Sequence, residues 1–321
     1  MSVIKSKIPV RVVEIFKVND LVTRFSFERI DGTLLPSFSG GAHIVVEMKD
    51  GDINRLNPYS LMSDPLDQSC YSISVRRDDE GRGGSLFMHH KVKLGDEMVI
   101  SNPVNLFAMD LRARKHLMIA GGIGITPFLA QIKQLDVLHG HFELHYSCRS
   151  SALGSYVDEL TALRPHDVHI YYDDQHQKIE LNNVLNGQPL GTHIYVCGPK
   201  GMIEWVLGTA SEMGWPRETV HYEEFLAPPS GEAFTVNLAV SEKVIEVGKQ
   251  QSLLEAIEAA GVDAPYLCRG GACGQCETHV LACDGDILHN DHWLDDQQRA
   301  DKTHIMPCVS RFVGNKLVLE R

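Results

Sequence analysis

The sequence contains no apolar run long enough to cross a membrane, no apolar signal-peptide core at its start and no cluster of basic residues. A membrane span needs roughly 20 apolar residues, and a secretory signal needs an apolar core that residues 1–7 lack. The formal net charge of -12 disfavours binding to nucleic acid or anionic membranes, because clustered Lys and Arg hold phosphate groups. We therefore expect a cytoplasmic protein that binds neither nucleic acid nor a membrane.

The 8 cysteines are too unevenly placed for a disulfide framework. Disulfide-dense domains are short and secreted, whereas several of these cysteines lie in one short C-terminal stretch of a long chain. This pattern favours metal binding over disulfides.

Domain organisation follows from length and from changes in the hydrophobic pattern. A chain of 321 residues with 43% hydrophobic residues suggests two or three domains. Short alternating runs at residues 42–48 and 70–75, separated by turn residues, predict an antiparallel β-barrel in the first part. After residue 115, apolar strands alternate with helical patterns, which predicts an α/β domain with a parallel sheet.

The C-terminal domain is set off by a linker with two adjacent prolines at residues 227–232, which neither a helix nor a central strand tolerates well. Beyond it, residues 234–240 and 243–247 suggest a hairpin, and residues 252–260 a helix with a Ser cap. We predict a barrel at 1–111, an α/β domain at 112–227, a linker at 228–233 and an α+β domain at 234–321.

The C-terminal cysteines have a specific spacing. Cys268, Cys273 and Cys276 form C-x4-C-x2-C, and Cys308 follows at a distance. This is the plant-type [2Fe-2S] spacing. Zinc is the alternative, but zinc ribbons usually show two C-x2-C pairs.

Glycines fill the cysteine loop. Gly270, Gly271 and Gly274 allow the backbone to curl, so that N–H groups can face the sulfurs and help set the redox potential.

A glycine-rich turn follows the first apolar strand of the α/β domain. Gly121, Gly122 and Gly124 precede Thr126 and Pro127, where a helical pattern begins. Glycines at such a turn let backbone amides approach the pyrophosphate of a dinucleotide. The motif is not the strict G-x-G-x-x-G fingerprint, and a plain strand-to-helix turn is the alternative.

A second turn, Cys197-Gly198-Pro199, also ends an apolar strand before a helix. Two turns at the carboxyl edge of one sheet suggest a single ligand. Asp173 closes another strand, where its carboxylate can accept from an adenosine ribose hydroxyl and repel the extra phosphate of NADP. An ordinary exposed acidic turn is at least as good an explanation.

Three barrel segments can each be explained as ordinary turn or surface sequence: residues 57–61 (Asn-Pro-Tyr-Ser-Leu), 75–77 (Val-Arg-Arg) and 81–87 (Gly-Arg-Gly-Gly-Ser-Leu-Phe). Together they resemble the flavin-binding segments of the ferredoxin-NADP reductase superfamily. The order of flavin barrel, nucleotide domain and C-terminal ferredoxin is similar to the phthalate dioxygenase reductase family, and the resemblance covers nearly the whole chain. It implies FMN, NADH and a β-grasp ferredoxin domain with a [2Fe-2S] cluster. The implied partner is a terminal Rieske oxygenase.

The resemblance also implies roles for individual residues. Tyr59 would pack on the flavin ring beside Ser60, Gly84 and Ser85 would meet the phosphate, and Phe225 would cover the opposite ring face.

One position departs from the family pattern. Asn57 stands where the family usually has Arg, so Arg55 or Arg76 would have to supply the phosphate contact. The difference matters because guanidinium grips phosphate in a bidentate way that an amide does not match.

The implied activity is electron transfer by an NADH-dependent flavin iron-sulfur oxidoreductase. NADH gives up two electrons as a hydride, whereas a [2Fe-2S] cluster accepts one at a time, and a flavin handles either number. The nicotinamide should lie over the flavin with Thr126 and Cys197 nearby, and we assign no proton-transfer residue. The alternatives are a non-catalytic electron carrier or redox sensor, and a reductase that uses FAD.

Overall fold

The computed structural model describes residues 7–51 and 53–321. Residues 1–6, on which much of the expectation about a signal peptide rests, lie outside the described residues. The described chain forms three sheets in sequence order. No helix in that part of the chain combines the length and apolarity that crossing a membrane requires.

The first sheet is antiparallel and curls into a near-closed barrel. Its main strand order is β4-β3-β6-β1-β2-β5, β7 pairs with β3, and the outer strands β4 and β5 approach each other. Alternating apolar side chains such as Val10, Phe25 and Ile73 fill the interior. The elements are β1 (Ile8–Lys17), β2 (Val22–Arg29), β3 (Ala42–Asp50), β4 (Ile53–Ser60), β5 (Tyr71–Arg76), α1 (Gly84–His90), β6 (Glu97–Ile100) and β7 (Val104–Asn105).

The second sheet is parallel, in the order β10-β9-β8-β11-β12. Its strands are apolar on both faces, and a separate core covers each face, as expected for a sheet between helices. The elements are β8 (Lys115–Gly121), α2 (Thr126–Leu138), β9 (Phe142–Cys148), α3 (Val157–Leu163), β10 (Val168–Tyr172), α4 (Leu181–Asn186), β11 (Thr192–Cys197), α5 (Lys200–Glu212) and β12 (Val220–Glu223).

The third sheet is mixed, in the order β14-β13-β17-β15-β16. A capping box begins α6: Ser252 accepts from the Glu255 amide, and the Glu255 side chain accepts from the Ser252 amide. The elements are β13 (Phe234–Leu238), β14 (Lys243–Val247), α6 (Leu253–Ala259), β15 (Thr278–Leu288), α7 (Asp296–Ala300), β16 (His304–Ile305) and β17 (Arg311–Leu319).

The structure confirms the three predicted fold classes. The predicted hairpin forms from β13 and β14, and α6 begins after the predicted Ser cap. Residues 224–233, which include the predicted linker, carry neither helix nor strand.

Candidate functional site

A cavity of about 730 Å³ lies where the three domains meet. Its walls come from β4 and the loop before α1, from the start of α2 and the segment after β12, and from the cysteine loop. The arrangement places groups predicted to bind flavin, nucleotide and metal around one space.

Tyr59 and Ser60 line the barrel side of this cavity, at the end of β4. Burial raises the pKa of Tyr59 to about 12, so its hydroxyl stays neutral at ordinary pH. Asn57 donates to that hydroxyl at 3.4 Å. The neutral side chain of Tyr59 offers an uncharged aromatic surface suited to a planar ring.

Gly84 and Ser85 begin α1 and also line the cavity. A side chain at Gly84 would displace the side-chain amide of Asn57, so glycine lets these two residues approach closely. The Ser85 hydroxyl accepts from the amide of Asp78 at 3.0 Å, which fixes the preceding loop.

The arginines near Asn57 differ in position. Arg76 lines the cavity and is exposed. Arg55 is buried outside the lining residues, where its Nε donates to the carbonyl of Arg82 at 2.6 Å. Arg82, which sequence reasoning did not single out, lines the cavity and donates to the side-chain amide oxygen Oδ1 of Asn57 at 3.4 Å. A guanidinium therefore lies next to Asn57 although position 57 itself lacks one.

The two predicted nucleotide turns pack against each other at the ends of the neighbouring strands β8 and β11. A side chain at Gly124 would overlap the Cys197 carbonyl, and one at Gly198 would lie 3.1 Å from the Gly121 amide. The glycines therefore allow the close packing of the turns.

The glycine turn at residues 121–124 reaches the cavity where it enters α2. Gly122 has a φ of 54°, in the left-handed region that glycine adopts readily. Pro127 lies in the first turn of α2, and Thr126, which lines the cavity, donates to the carbonyl of Ile123 at 3.0 Å. Cys197 is fully buried, which raises its pKa well above the usual thiol range, and Pro199 precedes α5.

Asp173 lies apart from these turns. It follows β10 at the edge of the sheet, is exposed and does not line the cavity. Ser147 at the end of β9 donates to its carboxylate at 3.4 Å.

Glu223, the last residue of β12, and Phe225 after it complete the cavity wall. Phe225 is 47% exposed, so its ring is accessible from the cavity that it lines. Sequence reasoning missed Glu223, whose pKa burial raises to about 8. Within the part of the chain that the structure describes, its Oε2 atom is shielded from solvent and has no hydrogen-bond partner.

The four predicted metal ligands converge, and none is in a disulfide. The Cys268–Cys273 hydrogen bond lowers the pKa of Cys268 and raises that of Cys273, and the Cys276–Cys308 hydrogen bond lowers the pKa of Cys276 and raises that of Cys308. The sulfurs of each pair are therefore close enough to bind one metal centre, for which the thiolate is the ligand form.

Backbone amides surround the sulfurs as the glycine content predicted. The Gly270 amide donates to Cys268 Sγ at 3.3 Å, and the amides of Ala272 and Cys273 also lower the pKa of Cys268. Four converging thiols with amide donors fit an iron-sulfur cluster. Cys268 and Cys308 also line the cavity.

The ferredoxin domain closes the barrel end of the cavity. Arg82 Nη1 lies 2.8 Å from Glu255 Oε2 in a buried ion pair, and the Leu56 amide donates to Glu255 Oε1 at 3.2 Å. Arg55 donates to the Gln250 side chain at 3.2 Å. Arg55, which the sequence predicted for the flavin phosphate, thus binds a side chain of the neighbouring domain.

Two family models match the chain. Residues 236–313 match the 2Fe-2S iron-sulfur cluster binding domain, a range that contains all four cysteines, so the [2Fe-2S] cofactor is confirmed over zinc. Residues 98–220 match the N-terminal domain of dimethylamine monooxygenase subunit DmmA-like proteins.

Two curated relatives align over nearly the full length. The carnitine monooxygenase reductase subunit of Acinetobacter baumannii is 44% identical over 97% of this chain and 97% of its own. The heme-dependent oxidative N-demethylase beta subunit of Ectopseudomonas mendocina is 43% identical over 97% of this chain and 98% of its own.

A solved structure shares the whole architecture. Phthalate dioxygenase reductase, described as a modular structure for electron transfer from pyridine nucleotides to [2Fe-2S], has a TM-score of 0.90 and 32% identity. The match covers 98% of each chain. All three domains therefore have counterparts in one electron-transfer protein.

Proposed function

The chain belongs to the phthalate dioxygenase reductase family of oxygenase reductases, and on that premise we propose that it supplies electrons to an oxygenase of methylated amines, with carnitine as the first candidate substrate. It is an oxidoreductase with a flavin/NAD-binding part and a [2Fe-2S] domain. The observation that carries the electron route is the single cavity shared by Tyr59, Phe225 and Cys268. A cofactor between the two aromatic side chains would lie beside a cluster ligand.

The residues assigned to the flavin and to NADH remain our proposal. Tyr59, Ser60, Gly84 and Phe225 would hold the flavin, with Arg82 as the cation beside Asn57. The packed turns at Gly124 and Gly198 would take the pyrophosphate.

We propose FMN rather than FAD as the flavin. At the barrel end of the cavity, Glu255 and Gln250 of the ferredoxin domain bind Arg82, Arg55 and the amide of Leu56. The adenosine half of FAD would need space that these contacts fill. We propose NADH over NADPH because the exposed carboxylate of Asp173, which follows β10, would accept from an adenosine ribose hydroxyl and repel the 2′-phosphate of NADPH.

The identity of the oxygenase rests on relatives. Carnitine carries a trimethylated nitrogen, and the names of the second relative and of the matching family model refer to an N-demethylase and a dimethylamine monooxygenase. The sequence segments 105–108, 114–117 and 121–129 also resemble carnitine monooxygenase reductase. We propose a Rieske oxygenase as partner. A heme-dependent oxygenase is the second candidate, and a vanillate-type aromatic oxygenase the third.

An anaerobic titration of the purified protein with NADH tests the electron route. Absorbance should show flavin bleaching, low-temperature EPR should show a reduced [2Fe-2S] signal, and chromatography should identify the released flavin as FMN. A flavin that NADH does not reduce would refute the electron route, and FAD in the extract would refute the FMN assignment.

Reconstitution tests the partner. The protein is mixed in turn with the oxygenase components of a carnitine monooxygenase, a heme-dependent N-demethylase and a vanillate O-demethylase, each with its substrate. We expect kcat/KM to be at least about tenfold higher with the carnitine oxygenase. A tenfold ratio corresponds to about 1.4 kcal/mol of activation free energy. Equal or higher efficiency with either other oxygenase would contradict the carnitine proposal.

A further inference from the structure

Trp293 is a large aromatic side chain on the surface of the ferredoxin domain. It lies between β15 and α7 and is 50% exposed. Its Nε1 donates to Glu277 Oε2 at 2.8 Å, and Glu277 directly follows the ligand Cys276. The indole therefore has a fixed orientation and a bare face.

The ring rests on the cluster-binding loop itself. A side chain at Gly274 would overlap the indole, and Gly274 has a φ of 74°, so this contact depends on glycine. Gly274 lies between the ligands Cys273 and Cys276. Trp293 thus covers the turn that joins two cluster ligands.

A buried carboxylate holds Trp293 in this place. The side chain of Asp291 is 0% exposed and accepts from the amides of Trp293 at 3.2 Å and of Leu294 at 2.9 Å. Arg299 lies 3.4 Å from the same carboxylate oxygen. Asp291 therefore fixes the backbone of the loop that carries Trp293, while half of the side chain stays exposed.

Trp293 remains accessible while the three domains are together. Cys268, Cys308 and Ala272 line the central cavity, as does His292, whereas Trp293 and Glu277 do not. Trp293 is 50% exposed in the full chain, so a partner can reach it without moving the flavin domain.

The surroundings of Trp293 are acidic. Glu277 contacts the ring, and Asp295 and Asp296 follow it as exposed residues at the start of α7. The cationic side chains beside them are Arg299, 3.7 Å from Asp296, and His304, 3.8 Å from Glu277. Residues 234–321 contain 13 Asp and Glu against 8 Lys and Arg. A partner surface with an apolar centre and a basic rim matches this pattern, since aromatic anchors supply contact energy and opposite charges supply encounter rate.

We propose that Trp293, framed by Glu277, Asp295 and Asp296, is the docking contact for the oxygenase component, and that electrons leave the cluster through this side while the flavin domain stays in place. The inference rests on the proposed reductase function. It adds the partner-binding surface, its residues and the charge of its counterpart.

Cytochrome c, a basic protein that accepts one electron, is the probe. We compare the wild type with Trp293→Ala and Trp293→Phe, and use Leu281→Ala and Val313→Ala as controls. Leu281 is 49% exposed and Val313 58% exposed, both on strands of the same domain. Ferricyanide reduction and the EPR signal of the cluster show that flavin and cluster are intact in each variant.

We expect Trp293→Ala to raise the KM for cytochrome c about tenfold at low salt, the usual range for loss of one interface anchor. Trp293→Phe, which keeps an aromatic face, should lie between Ala and wild type, and the controls should stay within about twofold of wild type. If Trp293→Ala behaves like Leu281→Ala, or if only kcat falls, the docking contact is refuted. A wild type that does not reduce cytochrome c at all would instead refute the reductase function.

Zero-length carbodiimide cross-linking gives a readout independent of turnover. Lysines of cytochrome c should link to Glu277, Asp295 or Asp296, as identified by mass spectrometry, and Glu277→Gln with Asp295→Asn should weaken both the linking and the salt dependence of KM. Cross-links confined to carboxylates elsewhere on the domain would overturn the assignment.

Discussion

Glu223 is the most unusual single residue of the site, because one oxygen of its half-buried carboxyl group, Oε2, is shielded from solvent without a hydrogen-bond partner among the described residues. Burial raises its pKa from 4.5 to about 8. Between those values the folded chain keeps a proton that the unfolded chain releases, so this group lowers the free energy of unfolding as pH rises. Above about pH 8 the folded and the unfolded chain have both released the proton, so the free energy of unfolding falls no further through this group.

Glu223→Gln should therefore stabilise the protein, and by more at higher pH. We expect the gain in Tm to grow from about pH 6 to about pH 8 and then to level off. Thermal unfolding followed by circular dichroism at several pH values measures it. Glu246→Gln, at an exposed position, is the control, and a gain that is the same at every pH would show that Glu223 does not titrate as described.

Asp173 should affect the choice of coenzyme. Its carboxylate would repel the 2′-phosphate of NADPH, so Asp173→Ser should raise the kcat/KM for NADPH relative to NADH by about tenfold, or roughly 1.4 kcal/mol. Ferricyanide reduction with each coenzyme measures the ratio. An unchanged ratio would favour the ordinary acidic turn, the alternative that the sequence left open.

Sequence reasoning reached some residues and missed others for identifiable reasons. The cysteine spacing has few uses in proteins, so the metal site was predictable. Arg82 lay within a segment already assigned to the flavin, but an arginine between glycines gives no sign that it will be buried. The special environment of Glu223 arises from tertiary burial, which a single sequence does not record.

At the scale of elements, α6 has two tasks. Glu255 completes the capping box at its N-terminus, and the same carboxylate receives Arg82 and the Leu56 amide from the barrel. The start of α6 is therefore also the attachment point between the ferredoxin and flavin domains. The cap was predictable from Ser252, but the contact across domains was not.

Glu255→Gln should weaken this attachment while keeping most of the cap, since Gln also suits the capping box. Loss of a buried charge-assisted hydrogen bond costs about 2 kcal/mol. We expect slower reduction of the cluster by the flavin in anaerobic stopped-flow traces, with unchanged reduction of the flavin by NADH. Glu246→Gln serves again as the control, and a cluster reduced at the wild-type rate would show that the ion pair does not govern docking.

At the scale of the whole molecule, three folds meet around one cavity. Composition changes and the double proline indicated where the folds begin, because each fold has its own hydrophobic period. Their mutual placement depends on side-chain contacts such as Arg82 to Glu255 and His292 to Glu224, which lie 2.8 and 2.7 Å apart. Local sequence patterns contain no signal for such contacts.

The arrangement of the domains implies separate roles for the flavin site and the cluster, and one substitution can distinguish them. The flavin side of the cavity and the cluster ligands belong to different domains, so Cys273→Ser should spare NADH-dependent ferricyanide reduction and abolish reduction of cytochrome c or an oxygenase. Ferricyanide accepts electrons directly from a flavin, whereas the larger acceptors depend on the cluster. Both rates are measured spectrophotometrically on the same preparation, with iron and flavin content determined in parallel. Loss of both activities with full flavin content would mean that the cluster domain is needed for hydride transfer itself, and would contradict the separate roles.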